Sequence, residues 1–308
     1  MENKIITLKG PTASGKTNHA SKLIKSYPLE IISVDSVMVY KGLDIGSAKP
    51  TSEELKLCPH HLIDVCEPTE NYSAGEFYQD AQQLIQSIIR RGKIPFLVGG
   101  TMMYFRVLER GISQLPSANP TVRNQIESEA ADNGWAKLHQ KLHRIDPIAA
   151  NKIDPSDKQR IQRAIEVYRI TGMPISSFHD EHNKKMDYQR LDLSLVPSKR
   201  DILYDRIENR FDSMLDQGLV SEVGHLLSQD SLTSSHNSLR SVGYKQICEF
   251  IENKCTHDEA RANAIVATRR LAKRQLTWLR SDAGNLIFDP LHRGSEVDIA
   301  NKVSEFLN

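Results

Sequence analysis

The 308-residue chain lacks several features by which common protein classes are recognised. No apolar run approaches the roughly 20 residues that a membrane-spanning helix needs, so we expect no membrane partner. The four cysteines form no C-x-x-C pair, which favours buried thiols over a zinc site or a disulfide framework. No signal-peptide pattern precedes the first predicted strand, so we expect a cytoplasmic protein.

Acidic residues are missing from residues 261–280, although the whole chain carries a net charge of only +1. The basic residues in this stretch are Arg261, Arg269, Arg270, Lys273, Arg274 and Arg280. A near-neutral chain is not expected to coat nucleic acid along its whole surface. A local basic stripe on a helix suits a phosphodiester backbone, although solvated basic helices also occur without a ligand.

The sequence does contain a Gly-x4-Gly-Lys-Thr motif, between an apolar strand pattern at residues 4–8 and a helical pattern from Lys16. This context predicts a phosphate-binding loop, because such a loop directs several backbone N–H groups at one anion. Lys16 adds positive charge, Thr17 can reach Mg²⁺, and the helix dipole favours an anion. The candidate residues for binding a diphosphate or nucleotide are Gly10, Pro11, Thr12, Ala13, Ser14, Gly15, Lys16 and Thr17.

Two further strand patterns end in polar residues. Asp35 follows the apolar residues 31–34, and Thr101 follows two glycines after the predicted strand at 93–98. Ligands bind at the carboxyl ends of strands in open α/β sheets, so we predict that both residues join the phosphate loop in one site. Asp35 could equally cap a helix. His60 and His61 are adjacent and lack a third ligand at metal spacing, which favours a structural role over zinc binding.

The patterns predict an α/β protein with a P-loop parallel-sheet core and helices on both faces. We expect residues 1–115 to form the first part of this core and residues 116–197 to form a helical insertion domain. Residues 198–308 then return to the core and end in C-terminal helices. Neither internal repeats nor low-complexity tracts are present.

Several predicted helices carry informative side-chain patterns. The predicted inward positions are Ile161, Ile165 and Tyr168 in one helix and Leu203, Ile207, Phe211 and Met214 in another. Ser73 and Glu76 have the spacing of a capping box, which predicts a helix that ends near Gly92. Arg206 and Arg210 lie one turn apart and are candidate pyrophosphate ligands, although surface pairing explains them equally well.

The motifs, taken in order along nearly the whole chain, resemble those of the bacterial tRNA dimethylallyltransferases. The segments that carry the resemblance are residues 10–17, 33–36 with Tyr40, 44–50, 60–64, 98–104, 157–166 and 240–245. The resemblance implies transfer of a dimethylallyl group from dimethylallyl diphosphate to the exocyclic N6 amine of an adenosine. That adenosine lies immediately 3′ of the tRNA anticodon, and the products are N6-dimethylallyladenosine and pyrophosphate.

The resemblance also implies roles for individual residues. Asp35 would accept a proton from the adenine amine, Thr101 would contact the reacting nucleotide, and Lys16 would stabilise the departing pyrophosphate with Mg²⁺ near Thr17. The partner would be a tRNA anticodon stem-loop, bound by the insertion domain at residues 116–197 and by the C-terminal helices. The protein would be a monomer. The implied tRNA-binding residues are Asp35, Ser36, Val37, Met38, Thr101, Arg123, Gln159, Arg160, Ile161, Gln162, Arg163, Arg240, Ser241, Val242, Gly243, Tyr244, Lys245, Lys273, Arg274, Gln275, Leu276, Thr277, Trp278, Leu279 and Arg280.

Three other functions remain open from the sequence. The chain could prenylate free adenine nucleotides, although such a reaction needs no insertion that grips an anticodon. It could be a P-loop kinase for small molecules, or an RNA-binding protein without activity. An ordinary ATPase is disfavoured because the strand at 93–98 ends in Gly-Gly-Thr rather than in a magnesium-binding aspartate.

Overall fold

A computed structural model of the chain describes residues 3–113, 115–179, 188–282 and 284–308. The chain forms two compact units, one made of residues 1–108 and 187–308 and the other of residues 109–186. The second unit differs in its bounds from the predicted insertion at 116–197, because residues 189–195 form a strand that pairs with residues 4–9. We call these the sheet unit and the helical unit.

The described residues of the sheet unit form six parallel strands. They are β1 (Lys4–Lys9), β2 (Leu29–Val34), β3 (His60–His61), β4 (Ile94–Gly99), β5 (Gln189–Leu195) and β6 (Leu286–Phe288). Their order in the sheet is β3-β2-β4-β1-β5-β6. Because all strands run parallel, the carboxyl ends of β1, β2 and β4 meet at the same edge. The α/β class and the parallel core are therefore confirmed.

Helices connect and extend the strands. They are α1 (Lys16–Ser26), α2 (Ser52–Leu57), α3 (Ala74–Arg90), α4 (Met102–Arg110), α5 (Pro120–Asn133), α6 (Trp135–Ile145), α7 (Pro147–Ala150), α8 (Lys158–Thr171), α9 (Arg200–Asp216), α10 (Leu219–Leu227), α11 (Tyr244–Ile251), α12 (His257–Ser281) and α13 (Ser295–Leu307), with a 3₁₀ helix at Ile175–His179. The predicted capping box starts α3, since Ser73 Oγ accepts from Glu76 N at 3.2 Å and Glu76 Oε2 accepts from Ser73 N at 2.7 Å. Within the described residues, no helix is both long and apolar enough to cross a bilayer.

The two faces of the sheet follow from the alternation of side chains along β1. Ile6 and Leu8 pack in one core cluster with residues of α1 and α13. Lys9 points to the opposite face, where its Nζ lies 5.4 Å from the ring centroid of Phe105 in α4. Helices therefore cover both faces. The predicted inward residues of α9 are all buried, as are three of the four cysteines, and no cysteine forms a disulfide.

The helical unit has a core of its own, built by α5 to α8. Ile161 and Ile165 of α8 are wholly buried in it together with Ile126 and Leu142. Tyr168 was predicted to face the same core, but it is 37% exposed. Tyr168 lies in the last turn of α8 and does not belong to the core cluster of the helical unit. The end of this helix therefore extends beyond the part of the core that would cover the Tyr168 side chain.

Candidate active site

A cleft of about 840 Å³ in the sheet unit contains the three strand ends that the sequence predicted to meet. Its lining includes Thr12, Ser14, Lys16, Thr17, Asp35, Ser36, Val37, Met38, Gly99, Gly100, Thr101, Arg206, Arg210, Phe211, Met214, Val242, Arg274, Gln275 and Trp278. The phosphate loop, Asp35, Thr101 and both candidate arginines of α9 thus share one cavity. The lining residues named for this cleft include none of the described residues 109–113 and 115–179.

The phosphate loop is held open by left-handed backbone at Ala13 (φ 61°) and Gly15 (φ 90°). Helix α1 begins directly after Gly15, and among the described residues no side-chain hydrogen bond caps its first N–H groups. The Ser14 hydroxyl is buried and has no hydrogen-bond partner among the described residues. Together these groups supply backbone and hydroxyl donors of the kind that bind phosphate at helix N-termini.

Lys16 and Arg210 place two cations near each other in the cleft. Lys16 Nζ donates to the carbonyls of Gly10 at 2.9 Å and Pro11 at 2.7 Å. Burial, reinforced by nearby Arg210, lowers the pKa of Lys16 to about 7, while Asp35 opposes this shift. Burial also lowers the pKa of Arg210, whose guanidinium forms no ion pair within the described part of the chain. A bound anion would relieve both penalties.

Asp35 and Thr101 follow the ends of β2 and β4, and both form hydrogen bonds with residues 36–38. Asp35 Oδ1 accepts hydrogen bonds from Val37 N at 2.8 Å and Met38 N at 3.2 Å. These residues form a turn, so Asp35 organises a loop and does not cap a helix. Thr101 Oγ1 accepts from Ser36 N at 3.1 Å and donates to Ser36 Oγ at 3.3 Å. The two candidate catalytic side chains are therefore linked through one short segment.

Glu222 at the start of α10 supports one wall of the cleft and was not identified from the sequence. Its carboxylate accepts from Ile45 N at 2.7 Å and from the neighbouring N–H groups of Asp44 and Gly46. The Tyr244 hydroxyl donates to the same carboxylate at 2.7 Å. A Cβ at Gly46 would lie 2.6 Å from the Tyr244 ring, so glycine is required there. Two motifs of the sequence, residues 44–50 and 240–245, are thus joined by one acid.

A family model described as IPP transferase matches residues 38–282 of the chain. The chain belongs to the IPP transferase family. A tRNA dimethylallyltransferase of Coxiella burnetii is 52% identical over 277 residues, which cover 90% of this chain and 89% of that protein. The resemblance identified from the motifs is therefore confirmed.

Solved structures agree with this membership of the IPP transferase family. A tRNA isopentenylpyrophosphate transferase of Bacillus halodurans has a TM-score of 0.73 and 35% identity, covering 99% of this chain and 97% of its own. A eukaryotic dimethylallyltransferase, solved acting on tRNA, has a TM-score of 0.83 and 26% identity. In that case the match covers 99% of this chain and 79% of the eukaryotic one.

The basic helix α12 of this family member divides into two parts. Arg261 and Arg269 bind acids of α9, with Arg261 Nε 2.6 Å from Asp212 Oδ1 and Arg269 Nη2 2.9 Å from Glu208 Oε2. The basic residues further along α12 are exposed and have no ion pair within the described ranges. They are Arg270, Lys273, Arg274 and Arg280. Only this second part offers unpaired positive charge.

In the helical unit, two arginines that were predicted to bind tRNA form ion pairs with one buried acid. Arg123 Nε lies 2.9 Å from Glu166 Oε1, and Arg163 Nη1 lies 2.7 Å from Glu166 Oε2. Burial alone would raise the pKa of Glu166, but hydrogen bonds from both arginines bring it below the usual value. The exposed members of the predicted set in α8 are Gln159 and Arg160.

Some residues in the predicted tRNA-binding ranges have buried side chains. They are Ile161, Tyr244, Gln275, Leu276 and Leu279. Ile161, Tyr244, Leu276 and Leu279 point into the interior, because each range covers consecutive residues on all sides of a helix. The Gln275 side chain is also mostly buried, but it lines the cleft. For the four inward residues, burial disfavours a side-chain contact with tRNA.

His60 and His61 form structural contacts, as predicted. His60 Nδ1 lies 2.6 Å from the Cys58 carbonyl oxygen, and His61 Nε2 lies 3.1 Å from Glu30 Oε2. Over the described ranges, the chain holds no group of three or more His, Cys, Asp or Glu residues that could bind a metal ion.

Proposed function

We propose that this IPP transferase family member transfers the dimethylallyl group of dimethylallyl diphosphate to the N6 amine of the adenosine 3′ of a tRNA anticodon. The observation that carries the proposal is the single cleft in which a phosphate loop faces an oriented carboxylate and hydroxyl. The names of the relatives favour tRNA as the acceptor over free nucleotides or a kinase substrate.

The phosphate loop would bind the diphosphate of the donor. Lys16 and Arg210 supply positive charge around this position, and the N–H groups at the start of α1, which no described side chain caps, supply donors. Negative charge on the diphosphate grows as its bond to the prenyl carbon breaks. Interactions that strengthen with this charge stabilise the transition state more than the ground state, and they therefore accelerate the reaction.

We infer that the metal is Mg²⁺. In phosphate sites Mg²⁺ keeps several waters and shares the substrate's phosphate oxygens, so it needs few protein ligands. The donors in the cleft fit this requirement, because Thr17 is exposed at the first turn of α1 and supplies a hydroxyl. Bound there, Mg²⁺ would supply positive charge for the diphosphate.

Asp35 would act as the general base. The adenine N6 lone pair attacks the prenyl carbon, the carbon–oxygen bond breaks with its electron pair going to diphosphate, and the N6 proton passes to Asp35. Two backbone N–H groups hold Asp35 Oδ1, while Oδ2 has no hydrogen bond within the described residues and can accept the proton. Thr101, fixed by Ser36, would orient the adenine.

The acceptor adenosine must leave its stack to enter the cleft, which costs less in a loop than in a duplex. The exposed basic part of α12 would hold the phosphates of the anticodon stem-loop. Arg274 and Trp278 belong both to this helix and to the cleft lining, so an RNA bound along α12 would reach the site. We expect the enzyme to act as a monomer in the cytoplasm.

Prenyl transfer is tested directly by incubating the protein with labelled dimethylallyl diphosphate, Mg²⁺ and either unmodified tRNA or AMP. We expect label in the tRNA alone, at the adenosine 3′ of the anticodon. Label in AMP would indicate a nucleotide prenyltransferase. Consumption of ATP without prenyl transfer would indicate a kinase, and RNA binding without either reaction would indicate a binding protein.

A further inference from the structure

Gln275 connects α12 to the phosphate loop and to the loop that precedes Thr101. It also belongs to a range of residues to which the family resemblance assigns tRNA binding. Its Oε1 accepts a hydrogen bond from Thr12 N at 3.0 Å, and its Nε2 donates to the Gly100 carbonyl at 2.7 Å. The side chain is only 8% exposed. The Gln275 amide therefore accepts a hydrogen bond from the phosphate loop and donates one to the loop that precedes Thr101.

The local geometry is built around this amide. A Cβ at Gly100 would lie 2.7 Å from Gln275 Nε2 and 3.2 Å from the Gly10 carbonyl oxygen. Glycine at position 100 therefore lets three segments approach one another: the phosphate loop, the end of β4 and α12. Glutamate has no donor for Gly100 and methionine satisfies neither loop, so glutamine alone among side chains of this length serves both contacts.

The geometry points to Gln275 as a positioning residue that sets the spacing between the phosphate loop and the loop that carries Thr101. The inference deepens the proposed function and rests on it for the identity of the two substrates. Gln275 would act through Thr12 and Gly100, the two residues with which its amide forms hydrogen bonds. It also joins the diphosphate site to α12, where the neighbouring Lys273 and Arg274 face solvent.

The test compares Gln275→Met, which keeps the length of the side chain but removes both hydrogen bonds, with the parent. We expect inorganic pyrophosphate to bind roughly 3- to 10-fold more weakly, the fold-change of about one net hydrogen bond. The KM for dimethylallyl diphosphate should rise by a similar factor and kcat should fall. The dissociation constant for tRNA should stay within about twofold of the parent value, since the substitution removes no side chain that binds RNA.

Gln217→Met is the matched control, because among the described residues the side-chain amide of Gln217 bonds to Ser213 of α9 alone and does not line the cleft. It should leave every one of these constants unchanged. Weaker tRNA binding by Gln275→Met with unchanged pyrophosphate binding would overturn the inference in favour of an RNA contact. A lower melting temperature with unchanged pyrophosphate binding and KM would reduce Gln275 to a packing role.

A double-mutant cycle supplies a second test, which remains informative if the Gln275→Met variant folds poorly. Gly100→Ala should weaken pyrophosphate binding by displacing the amide, and adding Gln275→Ala should then cost little further or restore part of the affinity. Additive effects would show that the two residues act independently, against the inference. Pyrophosphate binding needs no prenyl transfer, so this result stands apart from the outcome of the tRNA assay.

Discussion

The cleft of the sheet unit and the helical unit use their arginines in opposite ways. In the helical unit, Arg123 and Arg163 both bind the fully buried carboxylate of Glu166. In the cleft, Arg210 is largely enclosed, lies near Lys16 and has no ion pair among the described residues. The same residue type therefore stabilises the fold in one region and leaves positive charge available for a ligand in the other.

This difference shows that the role of a basic residue in a motif can be interpreted only when its acidic partners in the folded protein are known. An enclosed charge without a partner costs stability, so its presence in a cleft points to binding or catalysis. When a charge inside a core is paired with an opposite charge, their attraction offsets the cost of desolvation. Removing one partner is then expected to lower the stability of the fold.

The largest expected effect tests the cleft side of this comparison. Asp35→Asn removes the base and should lower kcat by about 10²- to 10⁴-fold. Pyrophosphate binding should be nearly unchanged, because the loop that binds it is intact. Single-turnover prenylation of tRNA gives the rate, and Asp205→Asn on the exposed side of α9 is the control. Normal turnover by Asp35→Asn would remove this residue from the chemistry.

A second prediction concerns the helical unit. Glu166→Gln leaves Arg123 and Arg163 without their acid and should lower the free energy of unfolding by about 2–3 kcal/mol. Trp135 packs against this core and reports its unfolding by fluorescence once Trp278 is replaced by phenylalanine.

Glu127→Gln is the control for this unfolding experiment, because Glu127 is exposed and accepts one hydrogen bond, from Gln162. Pyrophosphate binding should be unchanged in both variants, since neither residue lines the cleft. An equal decrease of stability in both variants would contradict the special role of the buried acid.

A third prediction uses the lowered pKa of Lys16, which is about 7 in the free protein. A bound diphosphate favours the charged amine and raises this pKa, so binding takes up a proton above pH 7. Pyrophosphate affinity should therefore fall by up to about tenfold per pH unit above 7, beyond the change due to the ligand's own ionisation. Calorimetry with Lys16→Arg, which stays charged, gives that reference slope; equal slopes would contradict the prediction.

The smallest effect separates the two parts of α12. Lys273→Ala with Arg274→Ala should weaken tRNA binding and reduce the dependence of log Kd on log salt by roughly 0.7 for each phosphate that is no longer bound. Arg261→Ala with Arg269→Ala, on the same helix, should leave this slope unchanged and lower stability instead. If both pairs changed the slope alike, ion pairing with α9 would not decide which arginines bind RNA.

Local patterns were enough to predict much of the fold and the meeting of the strand ends. The phosphate loop, the capping box at Ser73 and the buried face of α9 depend on residues a few positions apart. Parallel strands then place Asp35 and Thr101 beside Lys16, because topology alone fixes the shared edge.

The remaining features depend on partners distant in sequence. Glu222 binds the backbone of residues 44–46, and Gln275 binds Thr12, so neither role leaves a local pattern. The short strand β6 was not predicted, and the C-terminal helices were predicted without the position of α13. In β6, Leu286 and Ile287 are both exposed, so the strand lacks the alternation that usually indicates one.

The sheet order also has a consequence for synthesis of the chain. β1 lies between β4 and β5, and residues 109–186, which build their own core, are translated between those two partners. After β4 is made, β1 keeps one edge open until residue 195 is added, roughly 5–20 s later at about 5–20 residues per second. An open strand edge is a template for wrong pairing, so nascent chains that stop short of β5 should be the ones that need a chaperone.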